Sequence, residues 1–225
     1  MNINIYYRLL LWMGLCSVLA FCRITMADEQ DDNWSKAMTN TINKTKRLEP
    51  SSFVSESIPD NVINELKKHG CKIPQAAHIP EPHNLISGEF AKKGQKDWAA
   101  LCSRNLHSSI LLIWGGTSTC SSEIASIPDK ESIRFPYANE TGTSIDPEEG
   151  ENHKLQGYLR RITTVPVELL TRPIGNGSPV DDDTNRKMID HEAIEDGMTI
   201  DANYTHEFYY CMLGKWRKWG DRNSD

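Results

Sequence analysis

The sequence predicts a mainly β, α+β domain built from an antiparallel meander, a C-terminal hairpin and one short N-terminal helix. Three observations carry this. Residues 85–90 (LISGEF), 98–102 (WAALC) and 109–114 (SILLIW) are short apolar runs rich in aromatic and branched side chains, separated by the turn-forming stretches AKKGQK and SRNLHS. Residues 204–212 and 215–219 flank Leu213-Gly214 as a closing hairpin would, with Trp216 on its buried face. Residues 60–69 (DNVINELKKH) have helix punctuation: Asp60 as a candidate N-cap after Pro59, lysines in the last turn, and Gly70 as the stop.

Read from the N-terminus, residues 9–22 (LLLWMGLCSVLAFC) carry no charge and follow Arg8, the order of a secretory signal peptide. Fourteen residues are too few to span a bilayer comfortably. Ala27, with Thr25 two positions before it, is the expected cleavage point, Ala20 the alternative, and an uncleaved anchor the rival reading. Cys16 and Cys22 follow Leu15 and Phe21, where lipid attachment requires a small residue. The expected organisation is a signal peptide over 1–27, a flexible leader over 28–58, and a single domain over 59–225. The leader is polar and lacks an apolar period, with Trp34 and Phe53 as its possible docking residues.

After the helix, Pro74, Pro80 and Pro82 keep residues 72–84 extended and outside any central strand. Within it, His78 and His83 stand five apart, on opposite faces of a regular strand, which argues against a metal pair. The meander follows. Residues 115–153 read as a long polar loop broken by Gly116, Pro128, Pro136, Gly142, Pro147 and Gly150, with one short strand at 134–137. Residues 155–167 and 168–174 supply one or two strands. A second polar loop, 175–186, includes Asp181, Asp182 and Asp183, and 188–197 (MIDHEAIEDG) reads as a helical turn or a loop.

Composition narrows the function. The chain carries 25 Lys and Arg against 31 Asp and Glu, a formal charge of -6; removal of 1–27 takes Arg8 and Arg23 but no acid, giving 23 minus 31, or -8. An acidic chain disfavours a nucleic-acid partner. Cys71, Cys102, Cys120 and Cys211 survive cleavage, an even number that favours disulfides in an oxidising compartment over a metal site, since no C-x-x-C is present. Cys71 with Cys102 is the preferred pair, Cys120 with Cys211 the less certain one. No cofactor is expected, because there is no phosphate-cradling glycine loop and no G-x-S-x-G. The hydroxyl-rich stretch 118–122 (STCSS) reads as loop filler. The sequons at Asn33, Asn43, Asn139, Asn176 and Asn203 read as incidental.

The densest polar cluster is Asp190, His191, Glu192, Glu195 and Asp196. A histidine beside carboxylates can serve as a general base or a cation ligand. The position four after His191 is Glu195, so the H-E-x-x-H of zinc proteases is not met, and a solvated acidic loop is the plainer reading. The tail GKWRKWGDR mixes Lys215, Arg217 and Lys218 with Trp216 and Trp219, a composition that suits an anionic surface or simply a hairpin strand with charged outer positions.

Two resemblances add to this. Residues 88–115 resemble one strand pair of an FG-GAP propeller repeat, G-x-F, a loop, then D-hydrophobic-A. That family's loop binds calcium through aspartates, whereas here it is Ala91-Lys92-Lys93-Gly94-Gln95-Lys96, so the resemblance implies the hairpin without the metal. The order GCKIPQ (70–75), DWAALC (97–102), DHEAIED (190–196) and GKW (214–216) is similar to that of a group of uncharacterised exported bacterial proteins, which implies a location and a fold more than an activity.

The expectation is therefore a periplasmic or secreted, non-catalytic domain that binds a partner or ligand in the cell envelope, with no stable membrane span after cleavage. The alternatives are a hydrolase or metal-dependent enzyme using Asp190, His191 and Glu192, and a structural envelope protein held by disulfides.

Overall fold

A computed structural model of the 225-residue chain describes residues 35–53, 58–134, 157–172, 187–200 and 203–220. The expected signal peptide, Trp34, most of the 134–137 strand and the acidic run at Asp181 lie outside the described residues. Contacts divide the chain into Met1–Asn43 and Lys44–Asp225. Residues 35–43 of the first unit are helical as part of α1 (residues 35–44), with the Thr39 and Thr41 hydroxyls donating to the carbonyls of Ser35 and Ala37 at 2.9 and 3.0 Å. No helix among the described residues is long and apolar enough to cross a membrane.

The second unit is mainly β and antiparallel. One four-stranded sheet runs β3 (Leu85–Gly88), β4 (Asp97–Arg104), β5 (His107–Ile113) and β6 (Glu123–Pro128), which is the expected meander extended by one strand. The other runs β12 (Lys215–Trp219), β11 (Asn203–Met212), β10 (Ala193–Ile200) and β9 (Arg161–Val165). Two short pairs complete it: β1 (Arg47–Leu48) with β2 (Ile73–Pro74), and β7 (Ile133–Arg134) with β8 (Gly157–Tyr158).

Two apolar layers cover the faces of β4. Ala99 and Leu101, with Ile110 and Leu112 of β5, face Tyr158 of β8 and Ile162, Ile194 and Tyr209 of the second sheet. Trp98, Ala100 and Cys102 face Val62 and Leu66 of helix α2 (Asp60–Lys68). A strand buried on both sides must be apolar throughout, and this is why residues 98–102 read as one continuous run without alternation. The outer face of the second sheet packs Val165, Phe208, Tyr210 and Met212 on Leu170 of helix α3 (Val167–Leu170).

Several expectations are corrected. Residues 47–53, within the expected leader, belong to the second unit: Arg47 and Leu48 pair with β2, and Phe53 packs on the α2 layer. Two-residue pairing carries no periodicity for a sequence to show. Helix α2 is preceded by Pro59 as its N-cap, and Asp60 is its first residue. The stretch after residue 115 is less bare than expected, since β6, a 3-10 turn (Asp129–Ser132) and β7 fall inside it. Residues 167–170 are helical where a strand was expected, because Pro166 sets an N-terminal φ of -69° and starts the turn.

The largest correction is β10, expected as a helical turn or loop. It is a central strand of the second sheet because its acids have partners. Glu195 pairs across to Thr163, whose hydroxyl donates to its Oε2 at 2.7 Å. Asp196 is fully buried and receives Arg160 in a bidentate pair, Nε to Oδ1 and Nη2 to Oδ2, each at 2.8 Å. Arg160 also donates to the carbonyls of Ser108 (2.8 Å) and Ala125 (2.6 Å). Those carbonyls flank the place where β5 and β6 slip register, with Ala125 at a φ of +54°, so the guanidinium caps the bulge from inside the core.

A second buried centre is Asp129. It accepts from Arg47 (2.8 Å), from the hydroxyl of Ser103 (2.7 Å) and from that of Ser108, which in turn accepts from Tyr158 at 3.1 Å. Burial pushes the Tyr158 phenol up to about 12, so it stays a donor at ordinary pH. The Pro-rich connection 75–84 is held in the same way. Gln75 and His83 exchange hydrogen bonds between side-chain amide and backbone at 2.9 and 3.0 Å, and the Ala76 N–H donates to His83 Nε2 at 2.7 Å.

Candidate functional site

Asp190, His191 and Glu192 lie side by side in sequence but do not converge. Tyr210 occupies the space beside the first two. Its ring stacks on His191 at 4.1 Å, its hydroxyl donates to Asp190 Oδ1 at 3.3 Å, and its oxygen accepts the Asp190 N–H at 3.0 Å. His191 is buried, and its two ring nitrogens face the carbonyl oxygens of Cys211 (3.0 Å) and Glu192 (3.1 Å). A general base needs a lone pair aimed at its substrate, and here both nitrogens are turned toward acceptors. Glu192 points the other way, where its Oε2 receives the Glu89 N–H at 2.8 Å and closes β3 onto the second sheet. Glu195 and Asp196 are the cross-strand and core partners already described. Among the described residues no group of three or more His, Cys, Asp or Glu is placed to hold a metal ion.

Cys71 is bonded to Cys102 inside the α2 layer, with Cα atoms 5.0 Å apart. Cys120 is bonded to Cys211, with Cα atoms 6.1 Å apart and a sequence separation of 91. This second bridge ties the segment after β5 to β11 and forms one side of a surface cavity. At the β11–β12 turn, Leu213 and Gly214 both take left-handed backbone angles, φ +51° and +77°. That is the geometry of a two-residue hairpin turn in which asparagine or glycine normally takes the first place. A leucine there costs about 1 to 2 kcal/mol, and its side chain is 87 % exposed. Gly214 lies so close to Thr119 that a Cβ would stand 3.0 Å from Oγ1.

The opposite wall comes from the 91–96 loop. Asp97, fully buried, gathers the N–H of Ala91 (2.9 Å), the amide of Gln95 (2.7 Å) and the N–H of Gly115 (2.9 Å). Any Cβ at Gly115 would run into the Lys96 carbonyl, so only glycine lets the loop close here. The aspartate of the D-hydrophobic-A pattern thus has its oxygens filled by N–H donors, and the closed loop places Lys92 at the rim. Between the walls lies a cavity of about 270 Å3, lined chiefly by Lys92, Thr117, Ser118, Thr119, Leu213 and Gly214. Among the described residues, Lys92 is its one charged lining residue. The Ser118 Oγ accepts the Cys120 N–H at 3.1 Å, which leaves its own hydroxyl proton to donate elsewhere.

The basic and aromatic tail is largely committed to the fold. Trp216 donates to the Ser121 carbonyl at 2.9 Å and lies near-parallel to Trp114 with centroids 6.1 Å apart, and Lys218 reaches Glu207 at 2.9 Å. Sequence reasoning passed over the cavity because its walls come from three distant segments, one of them the STCSS stretch read as filler. Two signals pointed to it: a leucine where a tight turn calls for asparagine, and the pairing of Cys120 with Cys211. No known family model matches this chain, and no curated protein or solved structure matches it.

Proposed function

We propose that this chain is an extracytoplasmic, disulfide-stabilised domain that binds a ligand or partner of the cell envelope without chemical turnover, and that binding takes place at the hairpin end. The observation that carries the reading is the cavity beside Cys120–Cys211, framed by rigid elements and presenting an ammonium, hydroxyl groups and an exposed leucine. The signal peptide expected from the sequence and the cysteine content support the location. The rival hydrolase reading has less support, because both ring nitrogens of His191 and Oε2 of Glu192 face backbone groups.

The test is capture from envelope extract on the immobilised, disulfide-intact protein, with Leu213→Asp in parallel. A component retained by the parent and released by the variant is the expected result. Equal retention by both, or by neither, would count against binding at this end.

A further inference from the structure

Three properties of the hairpin-end cavity define the chemistry of its occupant. The first is the sign of its polar groups. Its lining offers the Lys92 ammonium and the hydroxyls of Thr117, Ser118 and Thr119, with no carboxylate among the described residues that line it. Ser118 already uses its oxygen as an acceptor toward Cys120 N–H, so what it has left is a donor. A cation with several donors and no acid recognises an oxyanion. Lys93 of the same loop and Lys215 of β12 are exposed and stand next in sequence to lining residues or their turn, so they add positive potential in a chain whose net charge is -6.

The second property is rigidity. One wall is held by the Cys120–Cys211 bridge and by the contact of Gly214 with Thr119, the other by the three hydrogen bonds that Asp97 accepts. A backbone frame fixed before binding loses little freedom when a ligand arrives. The third is Leu213. It occupies a backbone conformation unfavourable for leucine while leaving its side chain almost wholly in water, so the fold gains nothing from it. It stands beside the oxyanion donors, where an apolar group would cover it.

We infer that this cavity binds a small amphiphilic oxyanion, a phosphate or carboxylate carrying an apolar chain, with the charged head on Lys92 and the 117–119 hydroxyls and the chain against Leu213. The inference rests on the binding-domain reading above and gives its ligand class. Octyl phosphate, kept below its micelle concentration, is the direct probe, with inorganic phosphate and octyl glucoside as head-only and tail-only controls, all read by calorimetric titration of the purified protein.

Octyl phosphate is expected to bind at least about tenfold more tightly than either control. Lys92→Gln should weaken octyl phosphate about tenfold, the scale of a lost charge-assisted hydrogen bond. Leu213→Asn, which suits the turn better and keeps the protein folded, should weaken octyl phosphate while leaving inorganic phosphate unchanged. Octyl glucoside binding as well as octyl phosphate, or an unchanged affinity in Lys92→Gln, would overturn the assignment.

Sedimentation with phosphatidylglycerol vesicles, lost in Lys92→Gln, would place the oxyanion on a lipid headgroup, and no sedimentation alongside octyl phosphate binding would place it on a soluble molecule. If the capture experiment retains a component through Leu213 while octyl phosphate does not bind, the ligand class fails and the binding-domain reading stands. If neither occurs, both fall.

Discussion

The interior of the second unit and its hairpin end use the same kinds of polar residue to opposite effect. Inside, two buried charge centres are closed by internal partners. Arg160 gives hydrogen bonds to Asp196 and to two bulge carbonyls, and Asp129 collects Arg47 and two serines. At the hairpin end, Lys92 and the hydroxyls of 117–119 line open space. The two leucines held at positive φ repeat the contrast. Leu106, in the β4–β5 turn, offers its carbonyl to the Asp129 N–H at 2.8 Å, so its conformation serves the fold, whereas Leu213 projects 87 % exposed beside the cavity. Polar groups whose partners are all internal maintain structure; polar groups with capacity left over are where a ligand can be met.

The comparison can be broken by perturbing each side. The largest effect is expected from Cys120→Ala with Cys211→Ala. A bridge over 91 residues stabilises by about 4.6 kcal/mol in the chain-entropy model, against about 3.7 for the 31-residue separation of Cys71 and Cys102. Denaturant titration should show the first loss exceeding the second, and octyl phosphate binding should disappear with the first alone. A ranking in the other order would mean the hairpin end is not held by its bridge. Next, Asp196→Ala should cost about 3 to 5 kcal/mol, because it strands a fully buried guanidinium. A loss under about 1 kcal/mol in the same titration would show that the bulge carbonyls suffice for Arg160.

A smaller effect is expected from acid. His83 accepts the Ala76 N–H on Nε2, so its ring must be neutral there, and burial together with nearby Arg161 and Lys46 holds it below its usual 6.5 despite the Glu81 carbonyl and carboxylate. His78 is lowered in the same direction, by burial first and then by Arg161 and His83. Below about pH 6.5 the unfolded chain takes up protons that these folded rings resist, so stability is full above that pH and falls as pH drops through it. The slope is at most about 1.4 kcal/mol per pH unit for each ring. His83→Gln should flatten the dependence, measured as the denaturation midpoint between pH 7 and 5. The smallest effect is expected from Glu192→Ala, about 1 kcal/mol for the hydrogen bond to Glu89 N–H. Any change in ligand affinity in that variant would join the 190–192 segment to the site after all.

What the sequence made legible follows from where side chains point. The meander and the closing hairpin were readable because their apolar runs and their Leu213-Gly214 turn are contiguous. β10 was not, since its acids read as solvated until Arg160 and Thr163, on and beside another strand, are placed against them. β6 was hidden by its bulge, which breaks the alternation a strand is recognised by. The Asp190-His191-Glu192 cluster was conspicuous in sequence for the same reason: spacing reports which groups are neighbours along the chain, and says nothing of Tyr210 and Glu89, which take them in different directions. The cavity is the converse, three ordinary segments made into a site by one long-range bond.

That bond also sets an order of assembly. Cys71 and Cys102 stand in segments that meet as soon as β2 and β4 collapse on helix α2, a short chain closure. Cys120 finds Cys211 only after the second sheet has formed and been laid on the first, and pairing of these distant strands is intrinsically slow. Chains folding under oxidising conditions should therefore pass through a species with the first bridge closed and Cys120 and Cys211 still free, open to thiol exchange until the second sheet arrives. In that order the hairpin-end cavity closes only after the two sheets have met, and its presence would then certify that they have.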